Sequence, residues 1–223
     1  MNVTDAIQSR ISTRGFLDRP VCEEKVREVL KVARWAPSGG NLQPWKVHVV
    51  MGAGRARLIA TVTKAIGDNP FADEAELAIY PPKLGEPWRS RRFAVGEEMY
   101  ALLAIARDDK PARLQWLLKN YQFFGAPVGL FFSLPRQFDK GQWAHLGMFM
   151  QSLVLAAADK GLATCMQEAW AARAKTVSAF LGLSDDEQLY CGMALGYADP
   201  DAPVNKLRSS REEVDAFATF IRK

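Results

Sequence analysis

QWAHLGMFMQSLVLAAADK, Gln142–Lys160, is the segment around which the rest of the chain is expected to fold. Its residues from Leu146 to Ala158 carry no charge, and a helix this apolar is buried on most of its sides. Apolar runs on either side of it, and two more elsewhere, predict strands. The predicted strands are KVHVV (46–50), APVGLFFSL (126–134), GLATCMQEAW (161–170) and LYCGMALGYA (189–198).

The rest of the chain is mainly helical by pattern. The apolar positions Val26, Val29, Leu30 and Ala33 follow the spacing of one buried helical stripe. Further helices are predicted up to a short closing helix that ends at Ile221. With no internal repeat and no clear linker, the pattern predicts a single α+β domain over residues 1–223, with an excursion at 68–93 rich in proline and acidic residues. Because so few strands cannot cover the apolar helix, part of that helix is expected to meet a second copy of the chain.

Composition excludes several classes of protein. Of the 223 residues, 48% are apolar and 24% charged, which is typical of a globular domain and not of a disordered chain. The net charge of +4 is too small and too dispersed for a nucleic-acid partner, but it suits an anionic small molecule. The three cysteines are odd in number and form no CxxC, no segment is long enough to span a membrane, and no signal peptide begins the chain. A cytoplasmic protein with no membrane partner is therefore expected.

Common catalytic motifs are absent from the sequence. There is no GxGxxG or GxxxxGK[ST], so neither a Rossmann nor a P-loop nucleotide site is predicted, and there is no GxSxG. His48 and His145 stand alone, without a carboxylate or cysteine at ligand spacing, so no metal site is expected. Both histidines are interpreted as structural.

Two loops combine arginine with serine. In SRISTRGF (9–16), Arg10, Ser12 and Arg14 alternate, which indicates an extended segment with the three side chains on one side. In NKLRSSR (205–211), Arg208 and Arg211 flank two serines. Guanidinium and hydroxyl groups together bind oxyanions. Either loop alone could be solvated surface, but together they could clamp one phosphate.

A polar turn, APSGGNLQPW (36–45), separates a helix from a strand. The two glycines, Gly39 and Gly40, allow the backbone to approach a flat ligand closely. Ser38, Asn41 and Gln43 add uncharged donors and acceptors, which suit the edge of a heterocycle and a polyol. An elaborate helix C-cap is the alternative interpretation of the same residues.

These segments, in this order, resemble the FMN-dependent nitroreductase family. The resemblance rests on SRISTRGF, APSGGNLQPW, GLATCMQEAW and GYADPDAPVNKLRSSR, and it covers nearly the whole chain. FFGAPVGLFF (123–132) and GQWAHLGMFMQ (141–151) are similar to the bacterial nitrobenzoate-type branch. The resemblance implies an α+β sandwich with a central, mainly antiparallel sheet flanked by helices. It also implies an intertwined homodimer that binds FMN between its subunits.

The resemblance also implies a set of cofactor-binding residues. Arg10, Ser12, Arg208 and Arg211 would hold the phosphate, and Arg14 would place a cation near N1 and O2 of the isoalloxazine ring. A second group would reach the flavin bound in the partner's site; it consists of Pro37, Ser38, Gly39, Asn41 and Gln43. A third group would form a turn beside the flavin N5 atom; it consists of Met166, Gln167 and Glu168. The family often has proline where this chain has Met166, so the rigidity of that turn is open.

The function that the resemblance implies is an FMN-dependent oxidoreductase. It would take hydride from NADH or NADPH and pass electrons to a small nitroaromatic, quinone or similar electron-poor substrate by ping-pong transfer, with no catalytic acid–base pair. Trp143 and Phe124 are possible walls of the substrate slot. Three alternatives stay open: the same fold with another flavin reaction (reductive dehalogenation, ring oxidation or enone reduction), a non-catalytic flavin-binding module, and a cysteine enzyme with Cys165 as nucleophile and His145 as base.

Overall fold

A four-stranded antiparallel sheet forms the centre of the molecule. The computed structural model describes residues 1–70, 72–73 and 76–222. The strands are β1 (Lys46–Met51), β2 (Val128–Pro135), β3 (Ala163–Gln167) and β4 (Glu187–Gly196), in the spatial order β1-β2-β4-β3. All three neighbouring pairs are antiparallel, and the four predicted strands are confirmed.

Seven α-helices surround the sheet in the described part of the chain. They are α1 (Val3–Ser9), α2 (Glu23–Ala33), α3 (Gly52–Asp68), α4 (Trp88–Leu102), α5 (Lys110–Leu118), α6 (Lys140–Asp159) and α7 (Ala174–Leu181). The predicted closing helix is wrong: the described tail holds only the single turn Val214–Ala216. A helix that short depends on packing, and Phe217 and Ile221 are 72% and 86% exposed, so no surface among the described residues covers them.

The sheet packs a separate core on each face. Leu130 and Phe132 of β2 point to one core, with α2 and α6, whereas Phe131 between them points to the other, with α3 and α7. This alternation follows from the two-residue period of a strand. Leu146 and Leu153 of α6 are completely buried against the first core. The α+β sandwich with helices flanking an antiparallel sheet is therefore confirmed.

Two strand glycines allow aromatic rings to lie directly on the second face. A Cβ atom at Gly129 would overlap the ring of Phe123, and one at Gly192 would overlap the indole of Trp170. Trp170 is fully buried and packs against Phe123 and Phe131, with ring centroids 4.7 and 5.0 Å away. This aromatic group anchors the 3-10 segment that follows β3.

The segment between α3 and α4 has no regular secondary structure in its described residues. α4 begins at Trp88, so the end of the predicted 68–93 excursion is helical, and Phe71, Glu74 and Ala75 within it lie outside the described residues. The segment is tied to the second core by Arg173, which is 3% exposed and donates to the carbonyl of Asn69 at 2.9 Å. In the described ranges, no helix is long and apolar enough to cross a membrane, and no cluster of side chains is suited to a metal ion.

Candidate functional site

The arginine-rich segment after α1 runs along the edge of the sheet. Arg10 has an extended backbone (φ −63°, ψ 140°) immediately after the helix. Ser12 forms a parallel β-bridge with Thr164 of β3, and the N–H of Thr13 donates to the carbonyl of Thr164 at 2.9 Å. Arg10, Ser12 and Arg14 line one cavity, together with the intervening Ile11, whereas Thr13 is buried.

Asn205 joins this segment to the C-terminal loop. Its side-chain oxygen accepts from the N–H groups of Arg14 (2.9 Å) and Gly15 (3.2 Å). Its amide nitrogen donates to the carbonyls of Gly15 (2.8 Å) and Asp199 (2.9 Å). Both the oxygen and the nitrogen of the side-chain amide therefore have all their hydrogen bonds, to backbone groups of the N-terminal segment and of the C-terminal loop. Sequence reasoning missed Asn205, although its place in the quoted motif NKLRSSR was a signal.

The two loops together form a cavity of about 400 Å³. Its polar lining consists of Gln8, Arg10, Ser12, Arg14, Arg208, Ser209 and Arg211. In the part of the chain that the structure describes, none of the four guanidinium groups forms an ion pair with a carboxylate. The Nε atom of Arg10 is buried without a hydrogen-bond partner there. Unneutralised guanidinium groups with a free buried donor fit the phosphate of a cofactor.

Arg208 and Arg211 donate to their own loop. Arg208 contacts the carbonyls of Asn205 (3.0 Å) and Leu207 (3.1 Å). Arg211 contacts the hydroxyl of Ser209 at 2.8 Å and the carbonyls of two neighbouring residues. A guanidinium group has five donor hydrogens, so both arginines keep donors for a ligand.

The other end of β3 leads into a second cavity. Met166, Gln167 and Glu168 lie here, about 10 Å along the strand from Thr164. The Gln167 side chain is buried and donates to the carbonyl of Asn120 at 2.8 Å, so the side chain is committed to structure and only the backbone of the turn is available. β3 therefore connects the arginine cavity to this turn, as an elongated ligand would require.

The second cavity measures about 470 Å³, within the range of small-molecule sites. Apolar side chains dominate its lining: Ile79, Leu117, Met150 and Met166. The Glu168 carboxylate accepts from the hydroxyl of Tyr190 at 3.0 Å. Burial raises the pKa of Tyr190, and the Glu168 charge raises it further.

Arg14 lies within electrostatic reach of this turn. Burial raises the pKa of the Cys165 thiol to about 11, and the charge of Arg14 partly offsets this rise. Cys165 directly precedes Met166, so the positive charge of Arg14 acts near the turn as well as in the arginine cavity.

The polar turn at residues 36–45 contains left-handed backbone conformations, which glycine and asparagine adopt more readily than most residues. Gly40, Asn41 and Gln43 have positive φ values of 59°, 53° and 47°. The Ser38 hydroxyl accepts from the N–H of Gln43 at 3.0 Å, and Pro37 precedes it on an exposed surface. The turn lines neither of the two cavities described above. Within one chain the structure therefore brings Arg10, Ser12 and Arg14 together with Arg208 and Arg211, but not with residues 37–43.

Both histidines serve the structure. His145 Nε2 accepts from the N–H of Gly39 at 3.1 Å and thereby buttresses the polar turn. His48 lies 3.2 Å from the hydroxyl of Ser133, which donates to Glu187. Burial lowers the pKa of His48, and the Glu187 carboxylate offsets this only in part.

The two proposed slot walls and the proposed nucleophile all pack against other side chains of the protein. Phe124 is buried in the second core against Trp116 and lines neither of the two cavities. Trp143 packs edge-on against Tyr190, which itself lines the second cavity. Cys165 is buried in the second core and hydrogen-bonds only to the Met166 carbonyl, without a histidine partner in the described chain.

Comparison with known proteins identifies the family. The model of the Nitroreductase family matches residues 7–197. The 4-nitrobenzoate reductase of Pseudomonas putida is 39% identical over 215 residues, covering 96% of this chain and 93% of that protein. The nitrobenzene nitroreductase of Ectopseudomonas oleovorans is 34% identical over 221 residues, covering 99% and 97%.

Solved structures agree with this result. The FMN and NADPH-dependent nitroreductase NfnB of sphigopyxis sp. strain HMH superposes with a TM-score of 0.95 at 43% identity, covering 99% of both chains. The FMN-dependent NfnB of Mycobacterium smegmatis, in complex with NADPH, gives 0.92 at 32% identity and covers 98% of this chain and 97% of that one. The chain belongs to the nitroreductase family.

Proposed function

We propose that this protein is a single-domain FMN-dependent NAD(P)H oxidoreductase that reduces nitroaromatic or similar electron-poor compounds. The observation that carries the proposal is the cavity of four unpaired guanidinium groups, joined by β3 to a second, apolar cavity. The names of the relatives, nitrobenzoate and nitrobenzene reductases, support this substrate class. The related NfnB proteins, described with FMN and NADPH, support the cofactor and the hydride donor.

Four residues would hold the cofactor phosphate. Arg10 brings a buried donor without a partner in the described chain, and Arg208 and Arg211 bring donors from the C-terminal loop. Ser12 adds a hydroxyl group to the same lining. Guanidinium groups bind phosphate through paired N–H donors, so this set would supply most of the binding energy.

The remaining residues would position the ring system. FMN, when bound, supplies the hydride chemistry of the site. Backbone N–H groups of Met166, Gln167 and Glu168 would hydrogen-bond its reacting edge, because the Gln167 side chain is already engaged. Arg14 would stabilise negative charge on the ring by electrostatics, which is strongest where water is excluded. The apolar lining of the second cavity would hold the substrate and keep water out.

A homodimer is part of the proposal. Val32 of α2, Met148 of α6 and Trp35, just after α2, are exposed, Trp35 by 80%, and the tail exposes Phe217 and Ile221. Exposed apolar area of this kind marks a contact between proteins. A second subunit would also bring the polar turn at residues 37–43 to the cofactor of its neighbour. Sedimentation of a stable monomer that retains FMN would contradict the dimer.

A location in the cytoplasm completes the proposal. All three cysteines are free thiols, and Cys22 is exposed. Exposed free thiols persist in a reducing compartment.

The absorbance spectrum of the purified protein tests the cofactor first. A flavin spectrum, or saturable binding of one added FMN per chain, is expected, and a colourless protein that binds no FMN would refute the proposal. Anaerobic addition of NADPH or NADH should then bleach the flavin, and nitrobenzene should restore its colour. Bleaching without recovery would favour another flavin reaction, and no bleaching would favour a non-catalytic module.

A further inference from the structure

Arg92 differs from the other arginines of the basic run RSRRF (89–93). Arg89 pairs with Glu86 at 2.7 Å, and Arg91 pairs with Glu212 at 2.7 Å. Arg92 forms no ion pair within the described chain; its guanidinium group lies over the ring of Tyr80, with its carbon 4.2 Å from the ring centroid. Such stacking holds the planar group in place while leaving its N–H donors at the edge free.

Arg92 and Tyr80 both line the second cavity, together with the turn Met166–Glu168. The other described charged group in that lining is the carboxylate of Glu168, which already accepts from the hydroxyl of Tyr190. The free positive charge of the cavity is therefore that of Arg92, set at the rim of an apolar surface. A flat substrate on that surface would meet one cation at its far end.

We propose that Arg92, held by Tyr80, is a specificity-determining residue that binds the carboxylate of an anionic nitroaromatic acid. The inference rests on the proposed function. A guanidinium group matches a carboxylate through two parallel N–H···O bonds. In 4-nitrobenzoate the carboxylate and the nitro group lie on opposite sides of one benzene ring, and Arg92 and the turn Met166–Glu168 line the same cavity. Arg92 acts in binding and takes no part in the electron transfer.

The matched substrates are 4-nitrobenzoate and 4-nitrobenzamide, which have nearly the same shape and differ in charge. The FMN-saturated protein should favour 4-nitrobenzoate in kcat/KM, and added salt should reduce that preference because the site is exposed to solvent. In R92Q the ratio of the two kcat/KM values should fall about 10-fold, mainly because the anionic substrate acquires a higher KM. R92K should recover only part of the preference, since lysine keeps the positive charge but lacks the two parallel N–H donors of a guanidinium group.

Three further variants distinguish a loss of substrate binding from a general loss of structure. R89Q removes a neighbouring charge that pairs with Glu86 and does not line the cavity, so it should leave the ratio as in the wild type. Y80F keeps the stacking ring, whereas Y80L removes it, so only Y80L should lower the preference. A ratio that is unchanged in R92Q, or changed equally in R89Q, would overturn the inference.

A second experiment tests whether Arg92 binds the 2′-phosphate of NADPH instead of the substrate carboxylate. If R92Q raises the KM for NADPH but not for NADH, and leaves the substrate ratio unchanged, Arg92 serves the 2′-phosphate and the inference is overturned. Ligand-observed NMR of benzoate and benzamide binding reads the preference without turnover. Arg92-dependent benzoate binding in a protein that reduces no nitro compound would refute the proposed function and overturn the role of Arg92 in nitroaromatic specificity, while supporting its contact with a carboxylate.

Discussion

Replacing Asn205 with alanine should destabilise the protein and weaken FMN binding together. Its side chain makes four hydrogen bonds to backbone groups of Arg14, Gly15 and Asp199, at 2.8–3.2 Å. Each such bond contributes about 0.5–1.5 kcal/mol net. Because Asn205 is only half-buried, water can reach some of the freed groups, and we expect a loss of about 2–4 kcal/mol in the free energy of unfolding. For a chain of this size the melting temperature should fall by about 4–16 °C.

The assay is thermal unfolding followed by circular dichroism, at one protein concentration, with and without saturating FMN. Fluorescence titration gives the FMN dissociation constant of the same proteins. N205D keeps both accepted bonds but turns an oxygen towards the carbonyls of Gly15 and Asp199, so it should be no more stable than N205A. D201N, at an exposed position of the same loop, is the control. A shift below about 1 °C with unchanged FMN affinity in N205A would refute the reasoning.

Arg211→Ala should weaken FMN about 10–100-fold by equilibrium titration, because a charge-assisted hydrogen bond to the phosphate is lost; normal affinity in the variant with alanine at both Arg208 and Arg211 would show that the phosphate is held elsewhere. Arg14→Ala should lower the two-electron potential by about 30 mV, or about 1.4 kcal/mol, in a spectroscopic redox titration, and an unchanged potential would leave Arg14 as an anchor only. Because the pKa of Cys165 is raised to about 11, its reactive thiolate forms only as the pH approaches that value. At pH 8, iodoacetamide should label the exposed Cys22 and spare Cys165, whereas inactivation that follows Cys165 labelling would revive the cysteine alternative.

The tail and the basic run show where pattern reasoning stops. The sequence predicted a short closing helix that ends at Ile221, but a helix that short is stable only if another surface covers it, and no part of the chain that the structure describes does so. RSRRF reads as one basic patch. The structure divides it into two paired arginines and Arg92, because the partners Glu212 and Tyr80 come from other parts of the chain.

Local residue patterns were sufficient to predict the α+β class, the four strands and α6, because buried positions in a strand or helix recur at a fixed spacing that is visible in the order of apolar residues. They also indicated both arginine loops, because two separate loops that combine guanidinium groups with serine hydroxyls suit one anion better than either loop does alone. Only the tertiary structure brings the two loops together. Asn205 joins them by contacting residues about 190 positions away in the chain. The strand order β1-β2-β4-β3 depends on the tertiary structure as well. Contacts between distant residues are set by how the chain closes in space, and no local pattern of residue types carries that information.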